Sequence, residues 1–161
     1  MDLLQHRLVP VLILLAALCA PGAAQQSYLA TELVASGLDA PLLVTQPAGE
    51  STKLFVVEQI GVVQIVENGV VAPTPLLDIQ GLVNISNLLF GMAGFVFHPD
   101  YMNNGYFYVQ YQDYTPSYVV VRYTVPVPAT YQVDYGSAHV VLDVSSVGSP
   151  HQGGGLVFGP D

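Results

Sequence analysis

The sequence is poor in basic residues. Its 161 residues contain three Lys and Arg against 12 Asp and Glu, which gives a formal net charge of −9. Arg7 lies close to the N-terminus, and only Lys53 and Arg122 occur in the rest of the chain. Nucleic acids and anionic membranes are recognised by clustered Lys and Arg. The sequence therefore excludes a nucleic-acid-binding function and membrane binding beyond the N-terminal segment.

Cysteine is also nearly absent, since Cys19 is the only one. Residues 25–161 consequently have no disulfide, no cysteine nucleophile and no thiolate metal site, and an exported chain of this kind depends on its packed core or on a bound metal. Charged residues make up 9% of the chain, well below the usual quarter, while hydrophobic residues make up 52%. This composition predicts a globular core rather than disorder.

The N-terminus has the layout of a secretory signal peptide. Arg7 precedes an uncharged run over residues 8–20, and small residues follow at 22–24. The run is shorter than the about 20 apolar residues that a membrane span requires. We therefore predict a signal peptide over residues 1–24 and a secreted or periplasmic protein; an uncleaved N-terminal anchor is the alternative.

The remainder, residues 25–161, predicts an all-β fold. Its candidate strands are short, rich in Val, Ile, Tyr and Phe, and bounded by Gly, Pro, Asn and Asp. They cover residues 42–45, 54–58, 62–67, 75–79, 94–97, 106–111, 118–125, 139–144 and 155–158. Asn68-Gly69 predicts a tight hairpin turn between two of them.

Several of these strands are apolar on both faces, as in residues 61–66 and 118–123. A strand between two layers has this pattern, which face-to-face propeller blades produce. A two-sheet sandwich is the structural alternative.

An internal repeat also favours a propeller. Residues 94–100, G-F-V-F-H-P-D, and residues 155–161, G-L-V-F-G-P-D, differ at only two positions, and a weaker copy surrounds Pro47. Strand-based repeats at such spacings are typical of propeller blades. Since the last copy stops at Asp161, we expect a truncated propeller of two to three blades.

His151 is the best candidate for a catalytic residue. It precedes Gln152 and three glycines, so no bulky neighbour shields it, and a neutral imidazole is a suitable general base near neutral pH. The alternative is a simply exposed loop histidine. For His98, before a proline turn, and for His139, in an apolar strand, we predict structural roles.

Several longer segments of the sequence resemble the glucose/sorbosone dehydrogenases, the soluble aldose sugar dehydrogenases that depend on pyrroloquinoline quinone (PQQ). The resemblance covers the chain from about residue 41 onward. It rests on G-F-V-F-H-P-D-Y-M-N-N-G-Y-F-Y-V (94–109) and H-Q-G-G-G-L-V-F-G-P-D (151–161), with weaker support from L-F-V-V-E-Q-I-G-V-V-Q-I-V (54–66).

The resemblance implies a six-bladed propeller that binds PQQ and calcium and oxidises the anomeric carbon of an aldose to a lactone. It implies that His151 is the general base, and we assign Gln152 to substrate binding. The resemblance does not identify the electron acceptor.

PQQ is a tricarboxylate, and two scattered cations, Lys53 and Arg122, do not suffice to bind it. We therefore expect the cofactor-binding groups and the calcium ligands downstream of Asp161, and no metal site in this stretch. The sequence departs from the family pattern in two places, at residues 88–90 before Gly91 and at Pro150 before His151. They favour the alternative of a non-catalytic extracellular binding propeller. A broken gene product is a third possibility.

The scarcity of cations generates the first prediction. This polypeptide alone should neither bind PQQ tightly nor oxidise a sugar. Titration of the purified chain with PQQ, followed by the quinone's absorbance, tests this, and tight stoichiometric binding would contradict it.

Overall fold

The computed structural model describes residues 29–87, 89–115, 117–145 and 154–160. The chain divides into two compact units, Met1–Glu32 and Leu33–Asp161. In the first unit only residues 29–32 are described, and they form neither helix nor strand. The predicted signal peptide lies outside the described residues, so the boundary at residue 24 stays a prediction. The described ranges contain no helix whose length and apolar character would let it cross a membrane.

The first sheet of the second unit is antiparallel. β1, β2 and β3 lie side by side, and the short strands β4 and β5 both pair with the remaining edge of β3. The sheet therefore has four strand positions, the outermost one shared by two short strands. Their bounds are β1 Pro41–Thr45, β2 Lys53–Glu58, β3 Val62–Glu67, β4 Val70–Val71 and β5 Leu77–Asp78.

The hairpin between β3 and β4 confirms the turn predicted at Asn68-Gly69. Glu67 pairs with Val70, and the two turn residues have φ angles of 52° and 78°. Asparagine and glycine tolerate these positive angles better than other residues, which is why the chain reverses direction here.

The second sheet is a four-stranded antiparallel meander in the order β6, β7, β8, β9. A short helix α1, Tyr101–Asn104, joins β6 to β7, and a 3₁₀ turn, Pro128–Thr130, precedes β9. The strand bounds are β6 Met92–Phe97, β7 Tyr106–Gln112, β8 Ser117–Thr124 and β9 Asp134–Ser145.

Both sheets follow the chain up and down, which is the topology of propeller blades rather than the Greek key common in sandwiches. The all-β prediction is confirmed, with three corrections to the strands. The predicted strand 75–79 shrinks to Leu77–Asp78, because β4 and β5 share one position beside β3. The predicted strand 139–144 grows to Asp134–Ser145, since β8 offers a partner over that length. Residues 155–158 form no strand, because no described strand pairs with them.

The two sheets share one apolar core. Phe55 of the first sheet meets Phe97 of the second edge to face, with ring centroids 4.9 Å apart, and Phe97 also contacts Phe95 and Tyr101. All four side chains are buried. Edge-to-face aromatic pairs stabilise a core by about 0.5–1.5 kcal/mol beyond the area they bury.

β3 confirms the prediction that some strands are covered on both faces. Val63 faces the shared core, whereas Val62 and Val66 lie on the other face of the sheet, and all three are at most 3% exposed. A strand with water on one face would leave alternate side chains exposed.

A polar contact also bridges the two sheets. The Tyr131 hydroxyl, beside the 3₁₀ turn, donates a hydrogen bond of 2.6 Å to Glu50 Oε2 in the β1–β2 loop. Partial burial alone would raise the pKa of Glu50. The hydrogen bonds from Tyr131, from Thr52 and from the Lys53 backbone outweigh it and lower that pKa from 4.5 to about 2.

The lowered pKa gives the second prediction. The Glu50 carboxylate stabilises the folded state above pH 4.5, and this contribution is lost as the pH falls through about 2. Glu50→Gln should therefore lower the free energy of unfolding at pH 7 by about 1 kcal/mol, after allowance for solvent screening. The difference from the unsubstituted chain should shrink between pH 4.5 and pH 2.

Urea unfolding at a series of pH values measures both effects. Glu67→Gln is the control, because Glu67 pairs with Lys53 at the surface and such pairs contribute about 0.5 kcal/mol or less. A Glu50→Gln difference that did not change with pH would refute the assignment.

Candidate functional site

His151 and Gln152, the predicted site residues, lie outside the described residues. Their roles therefore stay predictions. Gly154 is the first described residue after them, and its N–H donates a hydrogen bond of 3.2 Å to Gln110 Oε1 on β7. The sequence directly after the candidate base thus lies on the second sheet.

Residues 154–160 lie on the face of the second sheet that points away from the shared core. The Phe158 ring contacts His98 and Tyr108, with centroid distances of 5.1 Å and 5.5 Å. Gly94 permits this approach, because a Cβ there would lie 2.6 Å from the Gly154 carbonyl oxygen. The stretch runs in the same direction as β6, from Gly94 towards His98.

The end of the sheets nearer to Gly154 carries the β2–β3 turn, the segment before β6 and the β7–β8 turn. We call it the Gln59 end, after the residue that joins its parts. The Gln59 side chain donates a 2.7 Å hydrogen bond to the Phe90 carbonyl, and the Gln59 carbonyl accepts one of 2.9 Å from the Met92 N–H. Gln59 also donates its own N–H to the Ala40 carbonyl. One glutamine therefore connects the starts of β1 and β6.

Asn84 makes similar hydrogen bonds to the end of β7 in the second sheet. Its N–H donates to the Gln112 carbonyl at 2.8 Å, and its side-chain amide donates to the Asp113 carbonyl at 3.3 Å. Its Oδ1 accepts the N–H of Ser86, and the residue is only 9% exposed. Asn84 therefore fastens the segment before β6 to the end of β7.

Two further groups at this end differ in how their hydrogen bonds are satisfied. The Asp113 carboxylate accepts hydrogen bonds from Thr115 and Ser117 within its own turn. Gln112 is 1% exposed, and its Oε1 has no hydrogen-bond partner. A buried acceptor without a partner costs about 1–3 kcal/mol. Among the described residues of the Gln59 end, this atom is the one buried side-chain acceptor without a partner.

Sequence reasoning missed Gln59, Asn84 and Gln112 as organisers of this end. The only local signals were a polar residue directly after a strand in E-Q-I-G and an Asn in a loop. Neither pattern distinguishes a joint between two sheets from an ordinary exposed turn.

His98 has the structural role predicted for it. Its Nδ1 accepts a hydrogen bond of 3.0 Å from the Asp100 N–H and lies 2.9 Å from the Asn104 side-chain amide. Since both partners are donors, Nδ1 is the unprotonated ring nitrogen. His139 is an exposed residue within β9.

The two described cations do not fit a bound tricarboxylate. Lys53 forms an ion pair of 2.9 Å with Glu67, and the Arg122 guanidinium lies 4.5 Å from the Tyr106 ring centroid. Both residues lie towards the strand ends remote from the Gln59 end. Nor do the described residues contain a group of three His, Cys, Asp or Glu that could hold a metal. The two described cations therefore do not converge on one carboxylate-rich ligand.

Comparisons with known proteins point in two directions. No family model matches the chain. It is 35% identical over 151 residues to the Hedgehog-interacting protein of Mus musculus, covering 85% of this chain and 21% of that protein. The Hedgehog-interacting protein of Homo sapiens is 35% identical over 142 residues, or 80% and 20% of the two chains. The chain thus spans about a fifth of the length of these relatives.

Two solved structures share the fold. A putative oxidoreductase (glucose dehydrogenase) from Thermus thermophilus superposes with a TM-score of 0.63 and 22% identity, over 80% of this chain and 36% of that one. The PQQ-bound aldose sugar dehydrogenase of Streptomyces coelicolor gives 0.53 and 20%, over 70% and 32%. The predicted resemblance to sugar dehydrogenases is confirmed for the fold, and the two sheets form a partial propeller.

The close approach of Gly91 to Gln59 gives the third prediction. Gly91 has a φ of +126°, and a Cβ there would lie 2.6 Å from both the Gln59 carbonyl oxygen and its Cγ. Gly91→Ala should therefore lower the free energy of unfolding by about 2–5 kcal/mol, from backbone strain and overpacking together.

Gly81→Ala is the matched control, because open space surrounds Gly81 and its φ is not positive. It should be neutral or stabilising by up to about 1 kcal/mol. Urea unfolding of both variants provides the measurement, and equal effects would exclude a close joint at Gly91.

Proposed function

We propose that this chain is the N-terminal part of an exported sugar dehydrogenase that oxidises the anomeric carbon of an aldose to a lactone. The observation that carries the proposal is the fold shared with two sugar dehydrogenases over most of the chain. The shares of 36% and 32% of those proteins support a part rather than a whole catalytic domain.

His151 is the proposed general base, which accepts the proton of the anomeric hydroxyl. Gln152 is the proposed contact to the sugar. Two described features support a site beside them: Gly154 lies on the second sheet, and the Gln59 end is held together by polar side chains. Such joints keep loops in fixed positions, which a catalytic base requires.

In this proposal, the groups that bind PQQ and calcium lie outside residues 25–161. Lys53 and Arg122 are each engaged on a different sheet, so they do not converge on a carboxylate-rich cofactor. A small sugar is the proposed substrate, and a signal peptide over residues 1–24 is the proposed means of export.

A second candidate function is extracellular protein binding without catalysis. The specific observation in its favour is the 35% identity to Hedgehog-interacting proteins, which is higher than the identity to the two dehydrogenases. The apolar residues Leu89 and Phe90 before Gly91 also favour it, because they offer no polar group to a sugar.

The fourth prediction tests the role of His151. In the protein encoded by the complete reading frame, loaded with PQQ and calcium, His151→Asn should lower the kcat for aldose oxidation by about 10²–10⁴-fold. His139→Asn should leave kcat within about twofold, because His139 is an exposed residue of β9. Dye reduction with a panel of aldoses provides the measurement.

Absence of oxidation with every aldose would refute the dehydrogenase proposal. The binding candidate is then tested by titrating the immobilised protein with a purified Hedgehog protein. Saturable binding would support that candidate, and no binding would refute it.

A further inference from the structure

β9 is the longest strand of the structure, with 12 residues from Asp134 to Ser145. It forms one edge of the second sheet, because β8 pairs with one of its sides and no described strand pairs with the other. A free edge presents a row of unpaired backbone N–H and C=O groups, which can accept another strand.

This edge lacks three of the usual protections against pairing, although a bulge interrupts its register with β8 at Val141. Edge strands are commonly protected by Lys, by Pro or by short length, and β9 has no Lys, Arg or Pro. Four of its apolar side chains are about half exposed: Val140 at 55%, Val141 at 53%, Leu142 at 53% and Val144 at 46%. β1, by contrast, is only five residues long and begins with Pro41. β9 is therefore the described edge best suited to receive a partner strand.

We propose that β9 pairs with β9 of a second copy of this chain, antiparallel and about a two-fold axis through Val141. In this register Val141 faces Val141, Val140 faces Leu142, and His139 faces Asp143. Within residues 138–144, each opposite pair is then either apolar against apolar or a carboxylate against an imidazole. Such cross-strand pairs stabilise a sheet by roughly 0.2–1 kcal/mol each.

Neighbouring registers lack this complementarity. A shift of one residue in one direction places His139 opposite Leu142, and a shift in the other direction places Asp143 opposite Val140. Both shifts oppose a polar side chain to an apolar one. Two-fold symmetry repeats each favourable or unfavourable pair, so it doubles the preference for the proposed register.

Val141 has no opposite residue in the pairing between β8 and β9. Val140 pairs with Val121 and Leu142 pairs with Val120, so the register skips Val141. Such a bulge sharpens the local right-handed twist. The pairing of two copies should consequently be short and centred on the axis, over residues 137–145.

Net charge opposes this association at long range, since each copy carries −9. The paired strands themselves place Asp143 against His139 rather than against another carboxylate. Salt screens the long-range repulsion beyond about 10 Å at 0.1 M, so the dimer should become tighter as salt is added. The inference does not rest on the proposed function, because neither His151 nor Gln152 takes part in the proposed pairing.

The test is the oligomeric state of the purified chain, measured by sedimentation equilibrium at low and high salt. We expect the unsubstituted chain to form a reversible dimer. Val141→Lys should raise the dissociation constant of this dimer at least tenfold, and the control Val127→Lys should leave it unchanged. Val127 is similarly exposed, at 59%, but lies outside β9. A monomeric unsubstituted chain, or equal effects of both variants, would overturn the proposal.

Two further measurements test the register. In a Cys19→Ser background, Val141→Cys should form a disulfide-linked dimer on mild oxidation, because residues opposite each other across an antiparallel pair have Cα atoms about 4.5–5.5 Å apart. Val127→Cys should not. His139→Asp should weaken the dimer about fivefold or more, and the exchange His139→Asp with Asp143→His should restore it. No cross-link at Val141, or no restoration by the exchange, would overturn the register. Circular dichroism confirms that each variant remains folded.

Discussion

The packing of Phe55 against Phe97 is the contact on which the rest of the structure depends. It packs the two sheets against each other, and it belongs to an aromatic cluster that includes Phe95 and Tyr101. With no cysteine beyond Cys19, the described part of the chain has no covalent substitute for this core. Glu50 precedes β2 and Gln59 follows it, and the hydrogen bonds of both residues link the two sheets.

Much of the fold could be predicted because its strands obey local rules. Asn68-Gly69 specifies a turn that few other dipeptides favour, and the residues from Val62 to Val66 are apolar on both faces because both are covered. The bounds of β5 and β9 could not be predicted in the same way. Each depends on how much of β3 or β8 remains available for pairing, which is a tertiary property that no local pattern encodes.

The candidate site was less predictable than the fold. His98 could be assigned to a turn because a proline follows it, and its Nδ1 indeed accepts hydrogen bonds within that turn. The roles of Gln59 and Asn84 arise from contacts with distant parts of the sequence, Phe90 and Asp113, so no neighbouring residue revealed them. The scarcity of cations was visible from composition. The structure adds that Lys53 and Arg122 are each already engaged with another side chain.

The up-and-down order of the strands has a consequence for how the chain acquires its structure. Every strand of the second sheet pairs with its neighbour in sequence, and the same holds for β1, β2 and β3. Each sheet therefore has low contact order for a β-fold, and its hairpins can form before the rest of the chain is available. The first sheet can be complete while later residues are still being synthesised. The aromatic core forms once the second sheet has folded. The chain therefore acquires its structure one sheet at a time, in the order of the sequence.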